Sequence, residues 1–173
     1  MMKILLLLLS VAPVFPTVIG DAAALLQPKS WRPVLAQGLT GDMTHTGPVM
    51  DIIYAFSNDA VYDTGTKQLL YIGGPHMAPM RFNVYGAATN FWRGESLPPG
   101  ETCISHSYDN LTIDNSGHMY WFHNSKVFVF DIVSSQWAPS LPGPGTSSRY
   151  GSLEYFPEKN SLVYVRRAVK KGV

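Results

Sequence analysis

Short runs of β-branched, aromatic and aliphatic residues alternate with turn-forming residues along most of the chain. Residues 60–72 contain two such runs around Asp-Thr-Gly-Thr, and residues 110–121 contain two around Asp-Asn-Ser-Gly. Residues 151–165 repeat this plan around Pro-Glu-Lys-Asn. Asp, Asn, Gly and Pro between short β-rich runs indicate β-hairpins. Beyond the N-terminal apolar stretch, no segment shows a long helical periodicity, so the pattern predicts an all-β protein.

The predicted strands fall into two groups of four and a last group of two. Side chains alternate across a strand, and the run 126–131 is apolar on both faces, which is expected where a sheet is covered on both sides. Tyr71, Tyr120 and Tyr164 are expected to occupy equivalent places in the three groups. The predicted strands are 57–62, 67–72, 81–86 and 90–93, then 108–113, 117–122, 126–131 and 135–138, then 151–156 and 160–165.

An internal repeat becomes visible when two tryptophans are aligned. Residues 84–92 and 129–137 both begin with Val and an aromatic residue, pass through a turn-prone middle, and end in Trp. Each copy is followed shortly by Ser-Leu-Pro. A repeat of this length with four strands is typical of a β-propeller blade.

The details resemble the kelch repeat of the galactose oxidase-like superfamily. In that repeat a Gly pair ends the second strand, and a Tyr and a Trp six residues apart follow in strands three and four. Gly73-Gly74, Tyr85 and Trp92 fit this pattern in the first unit, whereas Phe130 and Trp137 fit it in the second. Phe122-His123 stands in place of the second Gly pair, which makes this a divergent copy. A plain β-sandwich would use similar strands but does not require matched tryptophans.

The resemblance implies a partial β-propeller of about two and a half four-stranded antiparallel blades. Closed propellers use 4–8 blades, so we expect either the N-terminal part of a longer protein or a ring assembled from several chains. The Trp31-Arg32-Pro33 stretch is similar to the end of a fourth strand, which makes residues 30–36 a candidate ring-closing strand. The expected organisation is an N-terminal segment at 21–56, blade one at 57–100, blade two at 101–145 and an incomplete blade three at 146–173.

The first residues read as an export signal. Lys3 precedes an unbroken apolar run at 4–9, and small residues follow. This order is typical of a secretory signal peptide, here residues 1–20 with cleavage between 20 and 24. A transmembrane anchor needs a longer apolar stretch without the breaks at Pro13 and Pro16. We therefore expect a secreted or periplasmic protein with no stable membrane anchor after cleavage.

The composition limits the classes of partner that are expected. The chain has 13 Lys and Arg against 12 Asp and Glu, with 46% hydrophobic and only 14% charged residues. Because no basic field exists to attract phosphate backbones, nucleic acid is not an expected partner. Cys103 is the single cysteine of the sequence, so an internal disulfide is excluded and an apolar core must hold the fold.

Candidate binding residues cluster where propeller loops are expected to meet. His76, Arg81 and His123 fall in the connections between strands two and three, which share one rim. A second group lies where the first strands of units two and three begin, near the expected central channel. Such residues also commonly bond to backbone groups in loops between blades, so a structural role is the competing interpretation. This second group consists of His106, Tyr108, Asp109 and Arg149.

No zinc-binding spacing, nucleophile elbow or phosphate loop occurs in the sequence, so no metal, cofactor or catalytic residue is assigned. The superfamily includes a copper enzyme, but no copper ligand can be carried over. The expected function is an exported module that binds protein or carbohydrate through loop residues, including Trp121. The alternative is the N-terminal part of a secreted galactose oxidase-like or other carbohydrate-active enzyme whose catalytic groups lie outside this sequence. A scaffold alone does not decide between them.

Overall fold

The computed structural model describes residues 17–30, 34–38, 60–73, 80–101, 108–145 and 151–166. Within these ranges the chain is mostly β-strand, as the pattern predicted. One short helix, α1 (Val18–Ala24), is capped by Thr17, whose hydroxyl accepts a hydrogen bond from the Gly20 amide at 2.9 Å. Within these ranges, no helix is both long enough and apolar enough to cross a membrane.

The strands form three antiparallel sheets in chain order. In each sheet every strand pairs with the next one along the chain. The first sheet consists of β1 (Ala60–Asp63), β2 (Gln68–Gly73), β3 (Arg81–Gly86) and β4 (Phe91–Glu95). The second consists of β5 (Leu111–Ile113), β6 (His118–His123), β7 (Lys126–Asp131) and β8 (Gln136–Pro142), and the third of β9 (Gly151–Phe156) and β10 (Ser161–Arg166).

The first two sheets are structural copies of each other. Tyr85 lies directly opposite Trp92, and Phe130 lies directly opposite Trp137. Corresponding turns also match, because the Ala87 amide donates to the Lys67 carbonyl at 2.8 Å and the Ile132 amide to the Gly117 carbonyl at 3.0 Å. The sequence repeat is therefore a repeat of strand order, of turn geometry and of the register next to the turn, whereas only the second sheet has a register shift further along, between Val127 and Val129.

One expected equivalence is shifted by a residue. Gln68 pairs with Gly86, and His118 pairs with Asp131 at the same point of the second sheet. Counting along the strands then places Trp121, not Tyr120, at the position of Tyr71. The shift puts Tyr120 on the opposite face of its strand.

The second sheet is covered on both faces. On one side, Met119 and Trp121 belong to an apolar core shared with Leu70 and Phe82 of the first sheet. On the other side, Phe122 and Val127 pack against Leu153 of the third sheet, with Tyr164 beside them. Burial of apolar side chains on both faces of one sheet makes each sheet depend on its neighbour.

Trp137 joins the second sheet to the first. Its ring lies 5.6 Å from Phe82 and 5.0 Å from Phe130, and the Phe82 and Phe130 rings meet edge to face at 4.8 Å. The indole Nε1 donates to the Ser96 carbonyl oxygen at 2.8 Å. The contact combines apolar burial with a hydrogen bond between the sheets.

Trp92 packs differently on its outer side. Its ring lies 5.2 Å from Tyr85, as in the second sheet, but Val34 and Ala36 line a small apolar hollow beside it. The chain at Gln37 pairs in parallel with β4, accepting from the Trp92 amide at 2.7 Å. Residues 34–36, the described part of the candidate ring-closing strand 30–36, therefore lie against the edge of the first sheet.

The first strands of the sheets lie side by side. Asp109 and Ser152 form a parallel bridge, in which the Leu153 amide donates to the Asp109 carbonyl at 2.8 Å. The Tyr155 amide donates to the Thr112 hydroxyl at 3.1 Å. Since β1 also contacts β5, the strands β1, β5 and β9 share one edge of the stack, called the inner edge below.

A buried aspartate closes the first hairpin of each four-stranded sheet. Asp114 accepts hydrogen bonds from the amides of Ser116 and His118, from the Tyr120 hydroxyl at 2.9 Å and from His118 Nδ1 at 3.0 Å. Asp63 plays the same part in the first sheet, accepting from the Gly65 and Thr66 amides. Burial by itself would raise the pKa of Asp114, but these hydrogen bonds outweigh it and hold the pKa below the usual aspartate value.

We expect Asp114→Asn to lower the free energy of unfolding at neutral pH by about 1–3 kcal/mol, since an amide leaves donors unmatched in a buried turn. The pKa of the folded state lies below that of the unfolded state, so this stabilisation is complete above the unfolded pKa and is lost as the pH falls through the folded pKa. Urea unfolding at neutral and acidic pH tests this: the difference between wild type and variant should shrink in acid. Glu158→Gln, on an exposed turn, is the control; equal effects of the two variants would contradict the expectation.

A second prediction concerns the contact between sheets. We expect Trp137→Ala to destabilise the protein by roughly 3 kcal/mol, because it removes apolar contacts with Phe82 and Phe130. Trp137→Phe should cost about 1 kcal/mol, mainly through loss of the hydrogen bond to Ser96. Urea titration measures both, with the exposed Val133→Ala as control. If Trp137→Ala lowered the free energy of unfolding no more than Val133→Ala does, the contact of Trp137 with the first sheet would be contradicted.

Candidate functional site

An open cleft of about 440 Å³ runs along the inner edge, where β1, β5 and β9 lie side by side. It is called the inner-edge cleft. Its lining is mixed, with aliphatic and aromatic side chains from the strands and polar groups from their ends. The lining residues that carry the argument are Tyr62, Asp109, Thr112, Asn115, Glu154 and Tyr155.

Two carboxylates are placed at this cleft by the strands. Asp109 stands just before β5, at its bridge to Ser152, and is exposed. Glu154 is exposed because alternation along β9 turns Leu153 into the core and Glu154 away from it. Neither carboxylate has a hydrogen-bond or ion-pair partner among the described residues. Both can therefore accept hydrogen bonds from a ligand.

Of the residues predicted for the central mouth, two are described. Asp109 lines the inner-edge cleft, as just shown. Tyr108 precedes it with a left-handed backbone (φ 44°) and is half-buried. His106 and Arg149 lie outside the described residues, so their part in the mouth stays a prediction.

Of the residues predicted for the rim, Arg81 and His123 occupy matching ends of the first and second sheets. Arg81 begins β3 opposite Gly73, and its guanidinium donates to the Met80 carbonyl at 3.4 Å. His123 ends β6 and is buried, with its ring stacked on Trp121 at 4.8 Å. His76 and Gly74 lie outside the described residues, and so does Cys103.

The expectation that Trp121 contacts a ligand is wrong. Its side chain is completely buried between the first and second sheets. The Asn-Leu-Thr glycosylation sequon at 110–112 is similarly enclosed, because Asn110 and Thr112 are buried at the inner edge. Packing between the sheets covers the Trp121 side chain and both of these sequon residues.

Sequence reasoning missed Glu154, Tyr62 and Tyr155 as cleft residues. The one available signal was the polar Glu154 between apolar neighbours in a predicted strand. Position along β9 did not show that this strand would lie beside β5, because that contact joins residues far apart in the sequence.

A carboxylate, imidazole and phenol also meet around Asp114, His118 and Tyr120. Burial, the hydrogen bond to Asp114 and the negative charge of Asp114 together raise the pKa of Tyr120 to about 12, so its hydroxyl stays a donor. All four donors converge on one carboxylate, which gives this group a turn-closing role. No group of three or more potential metal ligands was found in the ranges that the structure describes.

Comparison with protein families, with curated proteins and with solved structures finds no match.

Proposed function

We propose that this chain is part of an exported kelch-like propeller that acts as a binding module, with carbohydrate as its ligand at the inner-edge cleft. The observation that carries the proposal is a pair of exposed carboxylates, Asp109 and Glu154, which have no hydrogen-bond or ion-pair partner in the described part of the chain and lie in a cleft that also contains tyrosines. Its volume of about 440 Å³ lies in the usual range for small-ligand sites.

The chemistry of the lining favours a sugar. Ionised carboxylates accept hydrogen bonds only, and hydroxyl-rich ligands supply the donors. Tyr62 and Tyr155 provide apolar ring surface with a polar tip, a combination suited to a ligand that has both CH and OH groups. Among the described residues that line this cleft there is no lysine, arginine or histidine, which disfavours sulfated or phosphorylated ligands.

A protein ligand is the other form of this proposal. Strong protein interfaces depend on a few deeply seated apolar or aromatic anchors. The inner-edge cleft is open and its described lining is mixed, so it offers a weaker basis for a deeply seated anchor than for a sugar. The enzyme alternative remains a separate proposal, in which residues outside the described ranges supply the chemistry.

Binding can be tested with the secreted protein on an array of neutral and acidic glycans, followed by calorimetry on the glycans that bind. Because a hydrogen bond to a charged group contributes about 1.5–3 kcal/mol, Asp109→Ala and Glu154→Ala should each weaken binding roughly tenfold or more. The midpoint temperature of thermal unfolding should change little in both variants, since both side chains are exposed.

Glu158→Ala removes an exposed carboxylate that does not line the cleft and should leave the affinity unchanged. The proposal fails if no glycan binds, or if all three variants bind like the wild type. Conversion of a bound glycan to a product would instead favour the enzyme alternative.

A further inference from the structure

A second and larger cleft of about 760 Å³ lies between the first hairpins of the two four-stranded sheets. It is called the hairpin cleft. The β1–β2 turn forms one wall and the β5–β6 turn the other, with Val133 from the β7–β8 turn at the margin. Because the two turns occupy equivalent places in stacked copies, the cleft follows directly from the repeat.

The hairpin cleft adjoins the inner-edge cleft. Tyr62, Ile113 and Asn115 line both. Asn115 is exposed and stands at the junction, while Tyr62 is 41% exposed on β1. A ligand in the inner-edge cleft that contacts these shared residues therefore also lies at the margin of the hairpin cleft.

The lining of the hairpin cleft is polar but offers little free charge. Its two carboxylates, Asp63 and Asp114, already accept hydrogen bonds within their own turns. The remaining polar groups are hydroxyls and an amide, from Thr64, Thr66, Asn115 and Ser116, and no basic residue is found in the described lining. Hydroxyl and amide groups both donate and accept, as sugar hydroxyls do.

We infer that the ligand is an uncharged, chain-like glycan that extends from the inner-edge cleft, past Asn115, into the hairpin cleft. The inference rests on the proposed function. Each cleft alone lies in the usual range for a small ligand, so a single sugar would fill only part of the surface. An acidic glycan would bring its carboxylates towards Asp109 and Glu154 with no positive charge in either described lining to compensate.

The test measures affinity by calorimetry for gluco-, manno- and galacto-oligosaccharides of increasing length, beside oligogalacturonides of matched length. With the wild-type chain, affinity for one neutral series should rise at least tenfold from monosaccharide to longer chains and then level off. The oligogalacturonides should bind at least tenfold more weakly than neutral chains of the same length.

Thr64→Trp should narrow the hairpin cleft without touching the inner-edge cleft, so the rise in affinity with ligand length should disappear while the affinity for the shortest ligand stays unchanged. Ala88→Trp, on the exposed β3–β4 turn, is the matched control and should keep the full rise in affinity with ligand length. Ser116→Trp narrows the hairpin cleft from its other wall and replaces Thr64→Trp if that variant does not fold.

The outcomes separate the two proposals. This inference is overturned, while the proposed function stands, if the affinity for neutral oligosaccharides does not depend on their length. It is also overturned if oligogalacturonides bind as tightly as neutral chains of the same length. The inference is equally overturned if the blocking variants keep the full gain with length. If no oligosaccharide of any length binds, the proposed function fails and the inference fails with it.

Discussion

The packing of one apolar sheet face on the next is the constraint on which the other features depend. The second sheet has Trp121 on one face and Phe122 on the other, and both are buried. Such a sheet cannot stand alone in water, because either face would expose large apolar side chains. Stacking also explains how a chain with 14% charged residues forms a core without a disulfide.

The same stacking creates the candidate site. When copies of one sheet are laid face to face, their first strands come together at one edge and their first hairpins come together at one end. The inner-edge cleft and the hairpin cleft are the two spaces left between these repeated parts. Polar residues at strand ends and turns, such as Asp109 and Asn115, then line the clefts because strand interiors are occupied by the core.

Most of the secondary structure followed from local pattern. The strands predicted at 81–86, 126–131 and 151–156 have those bounds in the structure, and other ends differ by a few residues. Local rules are sufficient here because turn residues bound each apolar run. They were insufficient for Tyr120, since an alignment that is wrong by one residue places a side chain on the opposite face of its strand.

By itself, the sequence determined the all-β class, the strand positions and a repeat that aligns Trp92 with Trp137. Tertiary structure alone decided which side chains remain accessible: Trp121 and His123 are enclosed, whereas Glu154 is left at an open cleft. The physical reason is that alternation along a strand tells which residues share a face. What covers that face depends on contacts between sheets that are distant in the chain.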